Sequence, residues 1–127
     1  YYIAWSDDTD STTAGNRTAF QTMYDMTLKK FTVRMGSVQA SHNLTLKVEE
    51  VNDGVTFTGG NSTTVASATI AHDGTDHKVY SFLEADFNVE PRVIGGKLAI
   101  LTIQADVDPQ STSNELYMSS IWTLNNF

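Results

Sequence analysis

Three aspartates near the start of the chain are of the residue type that binds calcium. Asp7, Asp8 and Asp10 lie in one polar segment. Ca²⁺ takes six to eight oxygen ligands, so a second loop carrying Asp106 and Asp108 would have to lie beside them. The spacing departs from an EF-hand, because no glycine stands at the sixth position and no glutamate at the twelfth. We therefore interpret the aspartates as solvent-exposed turn residues and assign no metal site.

A second group of titratable residues has a spacing that could suit zinc or acid–base chemistry. His72, Asp73, Asp76 and His77 fall within six residues. In a hairpin the two imidazoles could face each other, but most zinc sites need a third protein ligand. Asp73 precedes Gly74, and Asp-Gly is typical of tight hairpin turns. We interpret the segment as a hairpin turn.

Other signatures of catalysis are missing from the sequence. There is no Gly-x-Ser-x-Gly motif. Glu49 and Glu50 are consecutive in a predicted strand, so their side chains point to opposite faces and cannot act on one bond. We predict no catalytic residue, no cofactor and no enzymatic activity. A hydrolase remains an alternative only if titratable groups from distant strands meet in a cleft.

Five aromatic residues could form a platform on which sugar rings stack: Tyr1, Tyr2, Trp5, Tyr117 and Trp122. Trp122 shares one face of its predicted strand with Leu116, Met118 and Leu124, which favours packing in the core. Tyr117 lies on the opposite face and is the better surface candidate. Large aromatic residues dominate both cores and interfaces, so we favour core or subunit contact over sugar binding.

Period-two alternation predicts the elements that would position these residues. In the clearest strand, residues 43–51, Leu44, Leu46 and Val48 share one face, and polar residues occupy the other. Further strands are predicted over residues 1–5, 17–24, 28–35, 55–58, 64–71, 78–83, 98–103 and 115–124. Regularly spaced strands separated by turn residues are typical of β-sandwiches. We predict an all-β fold, an antiparallel, jelly-roll-like β-sandwich of about eight strands.

Length and charge limit the organisation and the partners. The chain has 127 residues, the size of a single domain, and we predict one β-sandwich over residues 1–127. Because strand-like sequence begins at Tyr1, we expect the domain to belong to a longer chain. The net charge of −7 disfavours nucleic acid and anionic membranes, which need Lys and Arg. Without cysteine, disulfides and thiolate sites do not arise.

The order of the strand motifs resembles a known family. Tyr1–Trp5 is followed by Leu28–Arg34, Leu44–Val48, Gly96–Ile100 and a last strand bearing Trp122. This set is similar to a jelly-roll-like β-sandwich module in virion proteins of tailed bacteriophages. The resemblance implies a structural component of the virion surface, in capsid decoration or a tail fibre. It also implies a homotrimer that contacts capsid or tail subunits, or a host-surface glycan. A carbohydrate-binding module is the alternative.

Overall fold

The fold consists of antiparallel strands. The computed structural model describes residues 2–3, 10–11, 19–36, 41–58, 60–106 and 116–125, and for residues 2–3, 10–11 and 116 it describes the backbone alone. These residues form ten strands, β1 (Tyr2–Ile3), β2 (Asp10–Ser11), β3 (Ala19–Gln21), β4 (Met26–Met35), β5 (His42–Val51), β6 (Thr63–His72), β7 (Val79–Leu83), β8 (Arg92–Val93), β9 (Leu98–Ala105) and β10 (Leu116–Leu124). One turn of 3-10 helix, Glu84–Asp86, follows β7.

The strands lie in two antiparallel sheets. A six-stranded sheet has the order β2-β1-β9-β5-β6, with β3 also paired to β9. A four-stranded sheet has the order β10-β4-β7, with β8 also paired to β4. Five connections cross between the sheets, as in jelly rolls: β3 to β4, β4 to β5, β6 to β7, β8 to β9 and β9 to β10. The predicted all-β sandwich is confirmed.

Alternating side chains build the core between the sheets. Phe31 and Val33 of β4 face Leu44 and Leu46 of β5, and all four are almost completely buried. Strand β9 is central in its sheet, between β5 and the short strands β1 and β3. Its apolar run is buried along nearly its whole length, which explains why its sequence does not alternate. Trp122 of β10 packs against this core and meets the Phe20 ring edge-on at 5.7 Å.

Three local expectations are wrong. Residues 55–58, predicted as a strand, form an irregular loop after the Asn52–Gly54 turn. Strands β6 and β7 lie in different sheets, so the loop between them is not a hairpin. Leu124 is also exposed, although it shares a face of β10 with Trp122: it is the last residue of β10 and pairs with Met26, the first residue of β4, at the end of the sheet.

Gly95 fills a place where a side chain does not fit. A Cβ atom at this residue would lie 2.7 Å from the carbonyl oxygen of Met23, and the Gly95 N–H donates a hydrogen bond to the carboxylate of Asp25. We expect Gly95→Ala to lower the free energy of unfolding by about 1–2 kcal/mol, because the backbone must shift. Urea denaturation measures the loss. Gly60→Ala is the matched control, since its Cβ would meet no atom within 4 Å. Equal stability of the two variants would contradict the close contact.

Candidate functional site

The four-stranded sheet turns one face to the core and the other to solvent. Along β4, Phe31 and Val33 point inward, so Lys30, Thr32 and Arg34 point outward. The register of β10 and β7 against β4 sets three rows across the outward side: Tyr117–Arg34–Val79, Ser119–Thr32–Ser81 and Ile121–Lys30–Leu83. We call these nine side chains the outer face.

The outer face is mixed apolar and polar. Tyr117, Ile121 and Val79 are each more than half exposed. In the middle row the hydroxyls of Thr32 and Ser119 are hydrogen-bonded at 2.5 Å. A shallow groove of about 290 Å³ runs over the first two rows, lined by Thr32, Arg34, Val79, Tyr117, Met118 and Ser119. Such a surface offers an aromatic ring, hydroxyls and a guanidinium to a ligand.

Strand β10 is at the edge of its sheet. Among the described residues, only β4 pairs with it. It runs for nine residues and contains neither a charged residue nor a proline. Proteins usually protect long edge strands with charges, proline or bulges, because unpaired N–H and C=O groups bind other strands. Strand β10 has none of these devices, because the register shift beside Ile121 places the extra residue, Lys29, on β4.

His72 lies in a cluster of rings whose other members are not those of the segment 72–77. His42 of β5 lies opposite His72 of β6, and their rings stack with centroids 4.6 Å apart. Tyr80 of β7 stacks on the other side of His72 at 4.0 Å. His72 is 1% exposed, whereas His77 lies on the surface. The cluster therefore joins the two sheets, and the sequence did not reveal His42 or Tyr80 as members.

The hydrogen bonds of this cluster indicate a structural role rather than acid–base catalysis. The His72 Nδ1 accepts a hydrogen bond from the Gly74 N–H. The pKa of His72 is lowered to about 4, mainly by burial and secondly by the neighbouring His42. The ring is therefore neutral at pH 7. Asp73 accepts hydrogen bonds from Lys78 and the Tyr80 hydroxyl. These bonds, that from Lys78 first, hold the pKa of Asp73 well below its ordinary value.

Of the aspartates considered for calcium, Asp106 has a described side chain, and its partner is Asn43. Asp106 accepts hydrogen bonds from the Asn43 backbone N–H at 2.8 Å and from its amide at 3.1 Å. The backbone bond is the main cause of the lowered Asp106 pKa. The side chain of Asp10, and residues Asp7, Asp8 and Asp108, lie outside the described part. Within that part, no three His, Asp or Glu side chains are grouped to hold a metal.

The paired glutamates have separate partners on neighbouring strands. Glu49 accepts a hydrogen bond from Thr102 at 2.7 Å, whereas Glu50 forms an ion pair with Lys97 at 3.0 Å. Each carboxylate is thus committed to a structural contact. A general acid and base acting on one bond would have to leave these partners.

Of the five aromatic candidates, two have described side chains. Tyr117 is exposed on the outer face, and Trp122 packs against the core, as predicted. The side chains of Tyr1, Tyr2 and Trp5 lie outside the described residues. The sequence analysis did not identify Arg34 and Lys30 as site residues, because alternation shows them only as ordinary solvent-facing residues of β4.

Comparisons with known proteins add no family. No family model matches the chain, and neither a curated protein nor a solved structure is similar to it. In the described residues, no helix has the length and apolar character needed to cross a membrane.

Proposed function

We propose that this chain is a non-enzymatic structural module of a virion surface, of the kind that decorates a capsid or forms part of a tail fibre in tailed bacteriophages. The observation that carries the proposal is strand β10. It is a long, uncharged edge strand next to an outer face with exposed apolar side chains. Exposed apolar patches of this kind mark interaction sites in stable proteins. Further support comes from the sandwich fold and from the resemblance of the strand motifs.

In this proposal, the chain assembles with copies of itself as a homotrimer. A contact that is not related by a two-fold axis uses different surfaces on the two partners and closes into a ring when the rotation permits. Strand β10 lies at one edge of the four-stranded sheet, and β7 lies beyond β4 on the other side. Two distinct edges of one sheet meet this requirement. Capsid or tail subunits of the particle are the expected further partners.

Sedimentation equilibrium tests the assembly. We expect a mass near 42 kDa, three times the 14.0 kDa of the chain. Ile121→Lys should give the monomer mass, because a lysine on the edge strand opposes pairing with another strand. Val55→Lys, which changes a comparably exposed residue in the loop after β5, should leave the trimer intact. A wild-type chain that stays monomeric at about 1 mM, the limit of weak association, would refute the trimer.

A carbohydrate-binding module is a second candidate function, favoured by the groove on the outer face. Tyr117 offers a ring for stacking, and Thr32 and Ser119 offer hydroxyls beside it. Specific sites combine apolar contact with a few placed polar groups. The two functions are compatible, because a surface module of a virion could also attach to a host glycan.

A further inference from the structure

The outer face has a charge opposite to that of the chain as a whole. The chain contains 15 acidic and 8 basic residues. The nine side chains of the outer face nevertheless include Lys30 and Arg34 and no carboxylate. A cationic surface attracts anionic ligands and raises their local concentration.

The cations of the outer face have no acidic partner in the part of the chain that the structure describes. Among the described residues, no carboxylate lies within ion-pair distance of Arg34 or Lys30, whereas the adjacent Lys29 is paired with Glu84 at 2.6 Å. Arg34 is exposed and lines the groove next to Tyr117, its cross-strand neighbour. A guanidinium binds a carboxylate with two parallel hydrogen bonds, which fixes the ligand's orientation.

We infer that the groove binds a saccharide that carries a carboxylate, with Arg34 as its anion-binding residue. This inference rests on the carbohydrate-binding candidate above and adds the ligand class. A sugar ring would stack on Tyr117, its hydroxyls would bond the middle row, and its carboxylate would meet Arg34. The groove volume of about 290 Å³ suits one or two sugar rings lying on an open surface.

An acidic peptide fits the same charge less well. Peptides bind sheets through main-chain hydrogen bonds along an edge, but the groove lies on the face of the sheet, where the backbone groups of β4 are already paired with β10 and β7. Side-chain hydroxyls remain as the polar groups of the face. Sugar hydroxyls are both donors and acceptors and can use them, whereas peptide groups gain no strand pairing there.

Calorimetry with matched acidic and neutral sugars tests the ligand class. The probes are trigalacturonic acid and its fully methyl-esterified form, together with sialyllactose and lactose. We expect at least one acidic sugar to bind with a Kd of about 1 mM or tighter and at least about tenfold better than its neutral counterpart. Hexaglutamate is the acidic-peptide probe and should bind more weakly. Equal binding of acidic and neutral sugars, tighter binding of hexaglutamate, or no binding of either acidic sugar would overturn the inference.

Variants locate the site. Arg34→Ala should weaken binding of the acidic sugar at least about tenfold, Arg34→Lys should restore part of it, and Tyr117→Ala should weaken acidic and neutral sugars alike. Lys47→Ala is the matched control, because Lys47 lies on β5 of the other sheet. Unfolding midpoints in urea exclude loss of fold. Unchanged binding by Arg34→Ala would overturn the assignment.

The sugar site and the trimer can fail separately. If the chain forms the trimer but binds no acidic sugar, this inference is refuted and the trimer stands. If the chain binds the acidic sugar but stays monomeric, the trimer is refuted and this inference stands.

Discussion

Phe31→Ala should lower the free energy of unfolding by about 3–5 kcal/mol, the cost of truncating a buried aromatic side chain. Phe31 is completely buried on β4, the strand between β10 and β7. Its ring lies edge-on to Phe82 with centroids 6.2 Å apart. Truncation leaves a cavity between the sheets that neighbouring strands, fixed by ladder hydrogen bonds, can fill only in part. Urea denaturation followed by tryptophan fluorescence gives the difference.

Tyr117→Ala is the control for Phe31→Ala, because it also removes an aromatic ring from the four-stranded sheet. Tyr117 is 59% exposed, so its loss should cost less than about 1 kcal/mol. The comparison should be made with the chain in its monomeric form, since assembly would add a concentration-dependent term. If Phe31→Ala costs no more than Tyr117→Ala, the core does not lie where we place it.

Acidification from pH 7 to pH 5 should cost up to about 2 kcal/mol of stability through His72. Its pKa is about 4 in the folded state against an ordinary value of 6.5. The unfolded chain therefore binds the proton first as the pH falls through 6.5, and the penalty grows until the folded state also binds it near pH 4. Above pH 6.5 the effect is absent. The charged groups around the ring are His42, Asp73, Asp76 and Lys78.

To isolate the contribution of His72, the change in the free energy of unfolding between pH 7 and pH 5 is measured for the wild-type chain and for two variants. His72→Phe keeps a ring between His42 and Tyr80 but cannot bind a proton, so most of the pH dependence should disappear. His77→Gln removes an exposed histidine from the same loop and should retain it. If His72→Phe and the wild-type chain respond equally to pH, burial of a neutral His72 is not the source of acid sensitivity.

The fold could be predicted from the sequence because its strands are amphipathic. In Phe31–Met35 of β4 and Asn43–Val48 of β5 the polar and apolar side chains alternate, and burial follows that pattern. The prediction failed where another interaction decided the conformation. Residues 55–58 carry two threonines and a valine, which favour a strand, but no neighbouring strand pairs with them in the described residues.

Much less of the candidate site could be predicted from the sequence. Tyr117 was identified as a surface residue from alternation alone, but its neighbours depend on which strands flank β4. Arg34 is separated from Tyr117 by 83 positions and meets it only through the register of β10. The partnership of His42 with His72 has the same origin. Sequence periodicity gives the face of each strand, whereas long-range pairing determines which faces combine.

Amide hydrogen exchange measured along β10 tests the central claim most directly. In the proposed assembly, the unpaired edge of β10 forms the contact between copies of the chain. In dilute, monomeric protein, the β10 amides that point away from β4 should exchange rapidly, because no strand pairs with them on that side. At concentrations where sedimentation shows a trimer, the same amides should become protected, and Ile121→Lys should abolish the protection. Exchange in β10 that is identical in monomer and trimer, with protection at another surface, would contradict the account.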